Sequence, residues 1–307
     1  MTRRHFLTAA ACAVAAGAKA TELGMQLNLS CGALGIHSTQ QQAIEWAGKF
    51  GFDVVDADGS YLARIPDADR ARLLDSMKSL HVGWATAGVP FEYREDESAF
   101  TAGMKDLPEY AEGLRRAGVE RVTTWIMPSH ATRAYPANLK LHAQRLRAIA
   151  HVLADNNLRF GLEYVAPQTL LLANRYPFVH TMAEMKELIA EIAALNVGMV
   201  LDSWHWYHAG DTADDLLSLK PPEVVSVDLN DAPSGIEKAR MIDGARELPA
   251  ATGVIDVKTF LGSLHKIGYQ GPVRAEPFNK VVQSMPPEQA IAAAMAALRK
   301  AFAEAAS

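Results

Sequence analysis

The residues of this chain best suited to chemistry are four acids, Glu163, Asp202, Asp228 and Glu276, each closing or nearly closing a short apolar run. Glu163 lies in Phe160-Gly161-Leu162-Glu163-Tyr164 and Asp202 ends Met199-Val200-Leu201-Asp202. Asp228 lies in Val225-Ser226-Val227-Asp228-Leu229, and Glu276 ends Val273-Arg274-Ala275-Glu276. Short runs of this kind read as buried strands of a parallel sheet, and four in succession gather their carboxylates at one rim. Carboxylates a few ångströms apart repel strongly at low effective dielectric and cannot all stay ionised without a counter-charge. A bound divalent cation supplies it. All-oxygen ligands favour Mn²⁺ or Mg²⁺ over zinc, with other divalent ions as alternatives. Taken singly, any of these acids could instead cap a helix or pair with Arg159, Arg246 or Arg274.

The acids need a scaffold, and the chain supplies a regular one. Strands are expected at residues 24–29, 52–56, 82–87, 121–127, 159–165, 197–202, 224–229 and 272–276. Between them run amphipathic stretches at 40–50, 70–80, 99–117, 136–156, 181–195 and 257–267, and a last one follows at 287–303. Eight strand-helix units predict an α/β fold closed into a single (β/α)8 TIM barrel, whose catalytic groups sit at the C-terminal ends of the strands. Gly51, Gly118 and Gly268 follow helical stretches where a left-handed cap would turn the chain. A doubly wound open sheet is the alternative, but Leu29-Ser30-Cys31-Gly32-Ala33-Leu34-Gly35 lacks the glycine spacing of a dinucleotide loop.

The 307 residues suit one domain, and no linker divides them. Residues 1–20, MTRRHFLTAAACAVAAGAKA, read as a cleaved export signal, leaving a catalytic domain at 21–307. Arg3-Arg4 before Phe6-Leu7 resembles a twin-arginine signal, with an ordinary secretory signal as the alternative, so a periplasmic or otherwise exported protein is expected. The apolar run is far short of the ~20 residues that span a membrane, so no stable membrane insertion is expected after cleavage. Losing Arg3, Arg4 and Lys19 takes 30 basic residues to 27 against 35 acidic ones, moving the net charge from −5 to −8. That balance argues against a nucleic-acid partner. Of two cysteines only Cys31 would remain, which excludes an intramolecular disulfide.

With these motifs in place, residues 24–278 resemble the xylose-isomerase-like barrel superfamily, the sugar phosphate isomerase/epimerase group. Gly161-Leu162-Glu163, Leu201-Asp202-Ser203-Trp204-His205 and Val227-Asp228-Leu229-Asn230-Asp231 carry the likeness. So do Arg246-Glu247-Leu248-Pro249, Gly253-Val254-Ile255-Asp256 and the stretch from Gly268-Tyr269 to Glu276-Pro277-Phe278. The resemblance implies that Glu163, Asp202 and Glu276 bind the metal and that Glu163 and Glu276 also exchange the substrate proton. It implies histidine at the seventh strand, where this chain has Asp228, a residue that can still ligate a hard cation. Ala166-Pro167-Gln168-Thr169 lacks the second glutamate of the family's epimerases, which disfavours a ketose 3-epimerase.

Three further residues are expected to touch substrate. His205 falls three residues after Asp202, where the resemblance places a contact to substrate hydroxyls; a bond to backbone is the alternative. Arg246 would anchor a substrate oxygen or pair with Glu247 or Asp243. Trp125 offers a flat ring to a sugar face. The resemblance thus implies a metal-dependent sugar isomerase or epimerase acting by proton transfer beside a carbonyl through an enediolate, and export favours a free or oxidised sugar as its substrate. A lyase acting on a 3-keto-glycoside and a non-catalytic carbohydrate-binding barrel are the competing readings.

Overall fold

The computed structural model describes residues 23–94 and 96–307; the expected export segment lies outside them. One curled parallel sheet forms the centre, with strands at Gln26–Leu29, Val54–Val55, Gly83–Trp84, Ala87–Gly88, Arg121–Ile126, Arg159–Tyr164, Val197–Asp202, Val224–Leu229 and Pro272–Ala275. The stretch expected as one third strand is therefore in two pieces. Gly83–Trp84 bonds to the second strand and Ala87–Gly88 to the fourth, so the two ends of the strand order belong to one short segment and the sheet closes. Across the break, Ala85 N–H donates to Val55 O at 2.9 Å and Ala57 N–H to Thr86 O at 2.8 Å. The segment changes partner as it rises because barrel strands are staggered.

Helices at Gln40–Phe50, Asp67–Leu80, Glu97–Ala117, Tyr135–Asp155, Met182–Ile192, Val257–Lys266 and Pro287–Ala306 surround the sheet. The second of these begins three residues before the expected Arg70. Its first turn, with Asp67 and Asp69 behind Pro66, is acidic rather than apolar, which suits the positive end of a helix dipole but leaves no hydrophobic period to read. Gly51 and Gly118 are left-handed C-caps at φ 78° and 80°. A short helix at Ser203–Ala209 follows the sixth strand directly, with the Asp202 carboxylate accepting Trp204 N–H as its N-cap.

Alternation along the strands sets which side chains meet. Leu162, Leu201, Val227 and Val273 are fully buried neighbours of the polar residues that follow them. Side chains alternate across a strand, so these apolar residues pack away from the face that carries the acids. Burying each contributes roughly 1.5–3 kcal/mol and fixes the register. Gly161, two residues before Glu163, is required by packing: a Cβ there would stand 2.9 Å from Val200 Cγ2 and 3.0 Å from Val225 Cβ.

Candidate functional site

Register places Asp202 opposite Asp228 and Asp228 opposite Arg274, so three charged side chains stand in one row across strands six to eight. Glu163 lies opposite Val200 on the fifth strand, and Glu276 follows the last residue of the eighth. Ligand oxygens of Glu163, Asp202, Asp228 and Glu276 all lie within 4.8 Å of one another, and so do ligand atoms of Glu163, Asp202 and His205. Four carboxylates at that spacing are the convergence expected of the sequence.

Two arginines stand among them. Arg246, 2 % exposed, donates from Nη1 to Asp202 Oδ2 at 2.8 Å and to Glu276 Oε2 at 2.9 Å. Its Nη2 donates to Asp243 Oδ1 at 2.9 Å, and its Nε to Asp243 O at 3.1 Å. Arg274 grips Asp228 with both edges, Nε to Oδ1 at 2.6 Å and Nη2 to Oδ2 at 2.9 Å. It also donates to Glu276 Oε1 at 2.8 Å and, from Nη1, to Asp56 Oδ2 at 3.2 Å. Buried charges persist when paired in this way, because removing either partner strands the other in low dielectric.

Glu163 is the exception. Its Oε1 is buried and makes no hydrogen bond to any described residue. Burial, then repulsion from Glu276, Asp228 and Asp202, holds its carboxyl well above the usual range, with Arg246 opposing. Burial also raises Glu276, Asp228 and Asp202, the last to about 6, but Arg274 pulls the first two down and Arg246 the third.

His205 is fully enclosed beside this group. Its Nδ1 accepts the Ala166 N–H at 3.3 Å and its Nε2 stands 3.5 Å from Arg246 Nη2; the shorter of the two contacts assigns the ring proton to Nε2. That nitrogen stands 3.8 Å from both Glu163 Oε1 and Asp202 Oδ2. Burial and Arg246 push the imidazole pKa well below its usual value, so the ring is a neutral donor. Trp125, 41 % exposed, sits opposite Glu163 in register at the rim. It lines a cavity of about 520 Å³ with Glu163, His205, Glu276 and Phe278.

Several residues at the site were not singled out by the sequence for a role there. Asn230 donates to Asp202 Oδ1 at 2.9 Å and accepts the Glu276 N–H at 2.9 Å, tying strands six and eight together. Its spacing of two from Asp228 was the available signal, since i and i+2 share a strand face; Arg274 stands in the same relation to Glu276. Asp231 accepts backbone N–H groups of Ala232, Thr252, Gly253 and Ile255 and bridges to Glu247, which fixes the loop that delivers Arg246.

The donor set suits a divalent ion. The two arginines offset only part of the charge that the four acids carry when ionised, and they are themselves shared with Asp243 and Asp56, so net negative charge is left for a dication to balance. Glu163 brings a free oxygen, while Asp202 Oδ2 and Glu276 Oε2 share one Arg246 nitrogen and Glu276 Oε1 accepts from Arg274. Both Asp228 oxygens are already bonded to Arg274.

The sequence profile of the xylose isomerase-like TIM barrels matches residues 44–301. An inosose isomerase of Bacillus velezensis is 22% identical over 264 residues, covering 83% of this chain and 89% of its own. A xylose isomerase domain protein from Alicyclobacillus acidocaldarius superposes with a TM-score of 0.80 at 31% identity, over 92% of this chain and 100% of its own. An IOLI protein structure with a bound zinc atom gives 0.75 at 19% identity, over 91% and 98%.

Proposed function

The chain belongs to the xylose isomerase-like TIM barrel family, and on that premise we propose that it is a metal-dependent sugar isomerase or epimerase. The observation that carries this reading is Glu163, a buried carboxylate without a partner facing two acids held by arginine. Glu163, Asp202 and Glu276 hold the ion, Mn²⁺ by preference, and Asp228 offers an oxygen only by releasing one of its bonds to Arg274. When bound, the ion polarises a substrate carbonyl and lowers the cost of negative charge on its oxygen.

The chain's own groups do the remainder. Glu163 removes the proton beside the carbonyl and Glu276 returns one to the enediolate; each carboxyl then exchanges with solvent. His205 donates Nε2–H to a substrate oxygen and, being neutral, does not compete as a base. Arg246 directs its donors to Asp202, Glu276 and Asp243 and so holds the acids in place. Trp125 and Phe278 give the sugar an apolar face. The inosose isomerase supports the reaction class, and the zinc-bound structure shows that this architecture accommodates a divalent ion. Exported localisation belongs to the same proposal and favours a non-phosphorylated sugar.

Assay of Glu276→Gln against a panel of free and oxidised sugars, with Mn²⁺ supplied, tests the reading. Turnover should fall by about 10²–10⁴ with the fold retained; full activity in that variant sinks it.

A further inference from the structure

Past the rim of the acidic site lies a second cavity of about 520 Å³. The small antiparallel pair Ser129–His130 with Tyr176–Pro177 is built outside the barrel at this end, and His130 of that pair and the helix Tyr135–Asp155 contribute to the wall. Trp125 and Met127 line both cavities and form their common edge. Arg94 stacks over the Trp125 ring at 4.0 Å, which fixes the indole between them.

The wall of this cavity is unusual in what it leaves unbonded. Asn138 and His142 are 2 % and 4 % exposed, yet Asn138 Oδ1 and His142 Nε2 make no hydrogen bond to any described residue, nor does Arg133 Nε. His142 Nδ1 stands 3.0 Å from the Asn138 carbonyl oxygen, which can only accept, so Nε2 is an acceptor. Burial keeps that ring neutral, its pKa pushed down to about 4. His130 is wired the other way: its Nδ1 accepts the N–H groups of Thr132 and Arg133 at 3.1 and 2.8 Å, which leaves Nε2–H as a donor. Acceptors on Asn138 and His142 and donors on Arg133 and His130 therefore share one lining without complementary partners among the described residues.

Charge decides what answers them. Arg94 and Arg133 are matched in the lining by Glu92 and Asp96, with Arg94 paired to Glu92 at 2.6 Å. An anion would satisfy only the donors and meet two carboxylates; a cation would satisfy only the acceptors and meet two guanidinium groups. An apolar group would satisfy none. A hydroxyl both donates and accepts, and a ring carrying several presents both functions at once.

We propose that this cavity is a second sugar-ring subsite, so that the substrate is a two-ring glycoside whose keto ring meets the acids while its partner ring lies beyond Trp125. The proposal rests on the isomerase reading for the first ring and on the unpartnered wall for the second. It makes Trp125 the divider between rings, and it assigns Asn138 and His142 to specificity.

Calorimetric binding to the Mn²⁺-loaded protein tests it, with D-fructose as the one-ring probe and lactulose, turanose and isomaltulose as two-ring probes of different linkage. At least one disaccharide is expected to bind about tenfold more tightly than fructose or better. Asn138→Leu should remove that preference. Thr132→Trp, at an exposed rim position, should block the second ring and leave fructose binding unchanged, so the test does not depend on tolerance of a buried substitution. Equal affinity for fructose and all three disaccharides overturns the subsite, as does a preference that survives both substitutions or a soaked crystal with only ordered water there. If a disaccharide preference exists but no keto sugar is turned over, the reaction fails and the subsite stands. If fructose is turned over without any preference, the reverse holds.

Discussion

The two flanks of the acid cluster are held by opposite means. On the fifth strand Glu163 has a buried oxygen with no hydrogen bond; on the seventh Asp228 has both oxygens bonded by Arg274. Glu276 also has both oxygens bonded, but by two different arginines, and Asp202 shares Arg246 with it. The difference separates reactivity from support. A carboxylate gripped by both edges of one guanidinium is a strong structural tie, whereas one without such bonds is poised to take a proton or a cation.

The largest expected effect sharpens that division. Glu163→Gln should lose about 10²–10⁴ in turnover, measured with saturating metal, without a lower melting temperature, because no protein partner is lost. Glu276→Gln should lose comparable turnover and also melt earlier, since it weakens bonds to two arginines. A drop in stability in the first variant as large as in the second would break the comparison.

Next in size is Arg274→Met, expected to cost about 3–5 kcal/mol in denaturant unfolding because Asp228 is left buried and unpaired. Combining it with Asp228→Leu should recover most of that loss. If the single substitution is as stable as wild type, Asp228 is not held in the way its bonds indicate.

Metal follows. Mn²⁺ at a hundred times its dissociation constant should stabilise the protein by about 2.7 kcal/mol, read as a melting shift. Asp202→Asn should abolish the shift and Asp228→Asn should keep it. The opposite pattern would transfer the ligand role to the seventh strand.

The last effect, the smallest per step of the variable, is in the pH dependence of the metal-free protein. Above the usual glutamate value the folded state binds more protons than the unfolded one at Glu163, so stability falls as pH rises toward its elevated pKa, by up to about 1.4 kcal/mol per pH unit. His205, His142 and His208 are held down in the fold and tilt the curve the other way below about 6.5. The readout is therefore the difference between wild type and Glu163→Gln across pH 5 to 8, in which the histidines cancel. Parallel curves would mean that Glu163 does not carry a raised pKa.

Most of the barrel was legible because alternation and caps are local. The strands at 197–202 and 224–229 and the helix at 40–50 fall where the residue pattern places them. The third strand was not, since its division depends on which neighbour each half bonds. The four acids were legible as a rim for the same reason that the strands were: each ends or nearly ends an apolar run. What stands between them was not. Arg274 was visible as one possible partner among three, and nothing local singled it out. Asn138 and His142 lie on a helix face that reads as ordinary packing, and only the cavity against them gives them a role.

The sequence by itself determined the eight-fold alternation, the carboxylates at four successive strand ends and the need for a counter-charge. Those follow from side-chain periodicity and from Coulomb repulsion, which need no knowledge of neighbours distant in the chain. The tertiary structure alone decided how the counter-charge is shared. Pairing depends on which strands are adjacent and in what register, and there Arg246 and Arg274 supply two charges, bond three of the four strand-end acids, and leave Glu163 free.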